Sequence, residues 1–445
     1  MEVVLASSSS GEGGIGCWDL HTGAEQLRYK SCASPSHGLV AVGARFLASS
    51  SSHLRDSLAT SSLLFWSWSK PQPEVKSFPA ESIQPLAANH SGTYIAGGAP
   101  SGHIYLWEVE TGRLLKKWRA HFREVTCLVF SEDDSLLVSG SGDGSVRVWS
   151  LFMIFDDLRS QQATNLYEYS FSEHTLSVTD VVIGIGGCNA NIVSASLDRT
   201  CKVWSLSRGT LLRNIVFPSV IDSIALDPAE HVFYAGSRDG KIFIAALNTE
   251  SIVTHNYGII DSFSNHSKSV TCLAYGMREN LLISGSEDGM VRVWNAKTRN
   301  IVRMFKHAKG PVNNILVVRR ENDSSNHTSP IIQASSKKQV SNLPPPLEKY
   351  ANPKDEDSNM KTIISLGGGR RSVDPLYISS HVISNYIKQF QHEGSGAASE
   401  MEMEKLKQDY QLSMQMANQW KKMYENLHQF CVKELLDGGQ TRNLD

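Results

Sequence analysis

Leu136-Leu-Val-Ser-Gly-Ser-Gly-Asp-Gly-Ser-Val-Arg-Val-Trp149 is the stretch that decides the fold of this chain. Two short apolar runs flank an Asp-Gly pair. Glycine accepts positive φ and aspartate bonds its own backbone, so the pair reads as a tight hairpin between two strands. A third strand precedes them at Val125-Thr-Cys-Leu-Val-Phe-Ser131. The whole pattern returns at Val270-Thr-Cys-Leu-Ala-Tyr275 and Leu281-Leu-Ile-Ser-Gly-Ser-Glu-Asp-Gly-Met-Val-Arg-Val-Trp294.

Strand, Asp-Gly turn, strand and closing Trp, repeated at about 40 to 55 residues, mark an all-β WD-repeat β-propeller. Closing tryptophans are Trp18, Trp66, Trp107, Trp149, Trp204 and Trp294, and a degenerate copy over Val232–Ile244 places Ile244 in the Trp slot. That makes seven blades within residues 1–320. The first copy begins at Val3, with no room ahead of it for a full set of strands, whereas Val312–Val318 is a spare strand after the seventh copy. Pairing the two closes the ring and removes exposed sheet edges. His121, Ser139, Asp143 and Trp149 recur as His174, Ser194, Asp198 and Trp204, and as His266, Ser284, Asp288 and Trp294. A set repeated once per blade is architecture, since a catalytic triad occurs once.

Composition narrows the function. A formal net charge of −2 gives no strong pull toward nucleic acid or membrane. Seven cysteines include no Cys-x-x-Cys pair, which favours buried, reduced thiols over disulfides or zinc. The start lacks a basic segment followed by an apolar core, so no secretory signal is expected, and no apolar run is long enough to span a bilayer. Gly367-Gly-Gly-Arg-Arg-Ser lacks the spacing of a phosphate-binding loop. No catalytic, metal-binding or cofactor-binding residues are expected.

Residues 321–372, rich in Ser, Asn, Lys and Pro, read as a flexible or partner-ordered linker carrying Pro344-Pro-Pro346. Two further stretches are less regular. Leu151–Tyr169 is apolar for a loop and reads either as a short element against the blade edge or as a partner contact; Ser49–Ser62 reads as a loose hairpin loop. Asp374-Pro375 opens a short amphipathic helix over 373–393, and a longer one is predicted over 399–436. On the latter, Met403, Leu406, Tyr410, Ser413, Ala417, Trp420, Tyr424, Leu427 and Cys431 recur at three- and four-residue spacings, as in a coiled coil. This helix could pair with a second copy, dock on another subunit or fold back on the propeller.

The plan of a propeller beginning near residue 1, a linker and a helical tail resembles the WD-repeat subunit of the rixosome. The similarity is carried by Val3-Val-Leu-Ala-Ser-Ser, by Trp18-Asp-Leu-His-Thr-Gly23, and by Ile95-Ala-Gly-Gly-Ala-Pro-Ser-Gly-His-Ile-Tyr-Leu-Trp107. It extends through His121-Phe-Arg-Glu-Val-Thr-Cys-Leu128 and Asp133–Gly144. The resemblance implies a non-catalytic nuclear scaffold, nucleolar and nucleoplasmic, acting in large ribosomal subunit maturation and in removal of the second internal transcribed spacer. It implies helical-repeat partner subunits, the pre-60S particle, the AAA ATPase midasin, and a homodimer through the C-terminal helix, with any RNA contact indirect and no membrane. The alternatives are a chromatin adaptor or a substrate receptor of a cullin-type ubiquitin ligase. Against the latter, the Trp-Asp-x-Arg of such receptors is missing at Trp18-Asp-Leu-His, Trp149-Ser-Leu-Phe, Trp204-Ser-Leu-Ser and Trp294-Asn-Ala-Lys.

Overall fold

The computed structural model describes residues 2–350 apart from 11–12, 31, 54–59, 156–166, 248–257, 277–279, 308–309 and 321–342. Seven four-stranded antiparallel sheets form the blades of a propeller. Their innermost strands are β28 (Val312–Arg319), β4 (Leu39–Val42), β8 (Leu86–Ala88), β12 (Val125–Phe130), β16 (Val178–Ile183), β20 (Ile221–Leu226) and β24 (Val270–Gly276). Each lies against the next, and β24 against β28 completes the circle. The late strand β28 pairs with β1 (Glu2–Ser8), from Glu2 opposite Arg319 to Ser8 opposite Val312. Flanked on both sides, Val3 to Ser8 are fully buried although they stand at the start of the chain.

Buried apolar side chains fill the spaces between neighbouring blades. Trp66, Trp107, Trp149, Trp204 and Trp294 are among the largest of them. The first blade is tied to the second by Asn314, whose amide donates to Ser7 Oγ at 3.0 Å, Ser34 Oγ at 3.1 Å and the Pro35 carbonyl at 2.7 Å. A second tie crosses the ring. His37, in left-handed backbone ahead of β4, donates from Nε2 to the Thr179 carbonyl of the fifth blade at 3.1 Å. This bond links opposite sides of the disc across its axis.

Three local readings of the sequence change. Ile244 is not in the Trp slot. In the fourth blade Trp149 pairs with Leu137, and the equivalent pair of the sixth is Ala245 with Phe233. Because side chains alternate across a strand, this one-residue shift sends Ile244 toward the seventh-blade cluster holding Trp294, whereas Ala245 packs with Phe233 and Phe217. Next, the serine run is strand, since β5 (Phe46–His53) and β6 (Thr60–Trp66) pair through Ser49 opposite Leu64 and Ser51 opposite Ser62. Its buried hydroxyls find partners: Ser49 bonds Ser34 Oγ at 2.9 Å, and Ser50 donates to the Gln84 carbonyl at 2.7 Å.

The third change lies in the stretch read as linker. Leu343–Tyr350 runs along the second and third blades, with Pro344 and Leu347 buried. The remainder of 321–372, and the helices expected over 373–393 and 399–436, lie outside the described residues. In the Leu151–Tyr169 stretch, α1 (Leu151–Phe155) buries Leu151 and Ile154 against the third and fourth blades and leaves Phe152 exposed.

Candidate partner-binding surfaces

The repeated polar residues meet as hydrogen-bonded chains. In the fifth blade, Trp204 Nε1 donates to Ser194 Oγ at 2.9 Å, Ser194 Oγ lies 2.8 Å from His174 Nε2, and His174 Nδ1 lies 3.0 Å from Asp198 Oδ2. An indole can only donate and a carboxylate can only accept. With the ring kept neutral by burial, the proton facing Asp198 sits on Nδ1 and the serine donates to Nε2. The seventh blade repeats the chain at 2.8, 2.7 and 3.1 Å through Trp294, Ser284, His266 and Asp288. There Arg292 joins it, with Nη1 2.9 Å from Asp288 Oδ2 and in contact with His266.

The fourth blade differs by one relay. Trp149 donates to Ser139 Oγ at 2.8 Å and Ser139 reaches His121 Nε2 at 2.7 Å. Asp143 then stands 3.6 Å from His121 Nδ1, and Ser145 bridges them at 2.9 Å to the ring and 2.5 Å to the carboxylate. Burial keeps all three histidines below their ordinary range, outweighing the pull of the aspartates. Only the aspartates of these chains reach solvent, and the three serines are fully buried. Burial also pushes the Cys17 thiol up to about 11 and those of Cys32 and Cys272 to about 12. They are unreactive at neutral pH.

The other blades substitute the chain in ways the repeat pattern hid. Phe217, Ala235 and Ala245 occupy its His, Ser and Trp positions in the sixth blade, all apolar. In the first, Ala6 takes the serine place beside His307, whose two ring nitrogens have no partner among the described residues. In the third, Gly97 takes it, and an added Cβ would come 3.0 Å from the Trp107 ring. Sequence reasoning also missed Glu81, which accepts bonds from Tyr105 at 2.6 Å, Lys117 at 2.9 Å and Ser101. Burial opposes its ionisation, yet these donors hold the carboxyl down at about 2.

Several of the ring's exposed large apolar side chains lie on its loops. Every connection from an outer strand to the next inner strand emerges on the same face, because four antiparallel strands alternate direction. On three successive connections this face exposes Phe78 (53 % exposed), Phe122 (74 %) and Leu176 (52 %). The guanidinium carbons of Arg119 and Arg147 lie 5.7 and 5.9 Å from the Phe122 ring centre, and exposed Arg123 follows it. Phe122 is held in place, since its N–H donates to Asp143 Oδ2 at 3.0 Å. The opposite face carries latches between blades: the Asp134 carboxylate accepts the backbone N–H groups of His90 at 2.6 Å and Ser91 at 3.0 Å. The tail residues Leu406, Tyr410, Ala417, Trp420, Tyr424, Leu427 and Cys431 fall outside the described residues. Among the described residues there is no cluster fit to hold a metal ion, and no helix is long and apolar enough to cross a membrane.

Comparison with known proteins agrees with this geometry. The WD domain, G-beta repeat, matches residues 112–150, 166–205 and 258–295. These are the three blades with complete chains. Protein ROOT INITIATION DEFECTIVE 3 of Arabidopsis thaliana is 54% identical over 448 residues, spanning 99% of this chain and 100% of that one. WD repeat-containing protein 18 of Danio rerio is 32% identical over 72% of this chain and 73% of its own length. Pre-rRNA-processing protein crb3/ipi3 of Schizosaccharomyces pombe is 26% identical, over 70% of this chain and 76% of its own. With a relative this similar aligned from end to end, and a closed ring of seven blades, the chain belongs to the WD-repeat family of rixosome subunits.

Proposed function

We propose that this protein is a non-catalytic scaffold subunit of a nuclear complex that matures the large ribosomal subunit and helps remove the second internal transcribed spacer from precursor RNA. The observation that carries this reading is the row of Phe78, Phe122 and Leu176 on one face of a rigid, closed ring. Large apolar side chains held out by a fixed backbone suit the pockets of helical-repeat subunits, and the arginines around Phe122 suit an acidic rim on such a partner. The pre-rRNA-processing name of the fission-yeast relative supports the ribosomal setting. In this reading the chemistry belongs to partners, midasin among them, and nucleolus and nucleoplasm are the places of work.

Phe122→Asp combined with Leu176→Asp is expected to weaken capture of the partner subunits by roughly thirtyfold or more, the loss of about 2 kcal/mol typical of a central anchor. The melting temperature should stay near that of the unsubstituted protein, because both side chains are exposed. Cells relying on the double variant should accumulate precursor RNA that retains the second internal transcribed spacer. Normal processing together with undiminished capture would remove this face from the function.

The helical tail over 399–436 doubles the valency of the scaffold in this reading by joining two copies. Trp420→Ala with Tyr424→Ala should halve the mass measured by light scattering and leave the propeller's thermal transition in place. An unchanged mass with loss of a single partner subunit would assign the helix to that partner instead.

A further inference from the structure

The third blade is completed by a piece of chain far away in sequence. Gly97 stands where the fourth, fifth and seventh blades carry the serine that accepts the indole proton. Trp107 Nε1 donates instead to the carbonyl of Glu348, at 3.0 Å. That carbonyl belongs to Leu343–Tyr350, which lies in a groove between β7 (Val75–Ser77), the outer strand of the second blade, and the hairpin joining β10 (His103–Glu108) to β11 (Leu114–Arg119).

The groove reads the backbone and the side chains of the segment in turn. Leu347 N–H donates to Ser77 Oγ at 2.8 Å, and Glu348 N–H donates to the Gly112 carbonyl at 2.8 Å. The Glu348 carboxylate accepts the Leu114 N–H at 3.4 Å. Leu347, only 6 % exposed, joins the apolar cluster of Phe65, Val109 and Leu114. Gly112 has φ +73°, and a Cβ there would come within 2.9 Å of the Pro346 carbonyl oxygen and 3.0 Å of Pro345 Cγ, so the floor under the prolines is shaped for them. Consecutive prolines hold an extended conformation and lose little entropy on docking.

A leucine pocket, a proline segment and main-chain bonds, here at Leu347 and Glu348, are the features by which a domain recognises a short linear peptide. We propose that this groove is a peptide-recognition site for extended Pro-Pro-Leu-Glu segments, with Leu343–Tyr350 as its resident and exchangeable occupant. Residence in cis sets its availability. A tether of tens of residues gives an effective concentration of about 1 mM, so a peptide whose intrinsic Kd is about 100 μM meets a site closed to it by roughly tenfold. A partner carrying the same chemistry at higher affinity displaces the segment and frees the chain that follows.

The experiment uses the full chain and a fluorescein-labelled synthetic peptide of residues 341–352, read by fluorescence polarisation. Leu347→Asp in the protein empties the groove without touching its walls. This variant should bind the labelled peptide about tenfold more tightly than the unsubstituted protein does, and a peptide carrying the same leucine-to-aspartate change should not bind. Should that variant fail to fold, Pro345→Ser with Pro346→Ser weakens the resident segment while keeping Leu347, and should raise peptide affinity several-fold. Equal affinity for unsubstituted and vacated proteins, or no binding to either vacated form, would overturn the proposal and make the segment a permanent part of the blade. Neither outcome bears on capture of ribosomal partners by the loop face.

Discussion

Ser194→Ala is expected to lower unfolding stability by about 2–4 kcal/mol, though it removes a single oxygen atom. The Ser194 hydroxyl is fully buried and holds two groups at once, accepting from Trp204 Nε1 at 2.9 Å and donating to His174 Nε2 at 2.8 Å. Neither group has another outlet. Trp204 is fully buried, and His174 is committed through Nδ1 to Asp198. Alanine would leave a donor and an acceptor unpaired in the core, each costing about 1–3 kcal/mol, with a small offset from relaxation. The sixth blade shows why the loss comes from orphaned partners and not from absence of the chain as such. Its Phe217, Ala235 and Ala245 replace the histidine, serine and tryptophan with apolar groups, and the remaining aspartate, Asp239, is bonded instead by the Ser237 hydroxyl and the Lys241 N–H. Urea unfolding at neutral pH measures the effect as a shift of midpoint at constant slope. A loss below about 0.5 kcal/mol, the range of an ordinary surface change, would show that the chain contributes nothing to holding its blade.

How far the sequence could be read follows from how local each cause is. The fourth, fifth and seventh blades were legible because Asp143, Asp198 and Asp288 each sit six residues before their tryptophan, within one hairpin. The sixth blade has an Asp-Gly at 239–240 but no tryptophan, and the count slipped by one, from Ala245 to Ile244. Without an indole to mark the face, two neighbouring apolar residues in a strand look alike. Serines at 49–52 looked like a loop because their burial depends on hydroxyl partners such as Ser34 and the Gln84 carbonyl, which are distant in sequence. The same distance hid the third blade's completion. Gly97 was visible, but nothing near it says that Glu348, 241 residues beyond Trp107, supplies the missing acceptor. The loop face was missed for the opposite reason. Phe78, Phe122 and Leu176 follow no periodicity, and only the ring brings them to one side.

Acidification should weaken this propeller before its carboxylates titrate, and the sign follows from the histidines. His307 is 2 % exposed, and burial, reinforced by the nearby Arg28 cation, lowers it from 6.5 to about 4. His121, His174 and His266 are lowered by burial as well. In the unfolded chain all four take up protons near pH 6.5, while the folded protein resists. Below that pH the unfolded state binds more protons, so stability is complete above about 6.5 and falls as pH drops through the window toward 4. His307 alone contributes a loss of roughly 2 kcal/mol by pH 5, from the linkage between its two protonation equilibria. Asp143, Asp198 and Asp288, in which hydrogen bonds overcome the burial that would raise them, add to the loss only at still lower pH. Asp180, raised by burial, works in the opposite sense. Urea midpoints at pH 7.5, 6 and 5 should therefore fall steadily, and His307→Leu should flatten the decline by about the share assigned to that residue. A midpoint independent of pH across this range, or a slope untouched by the leucine, would mean that these rings carry their protons inside the fold.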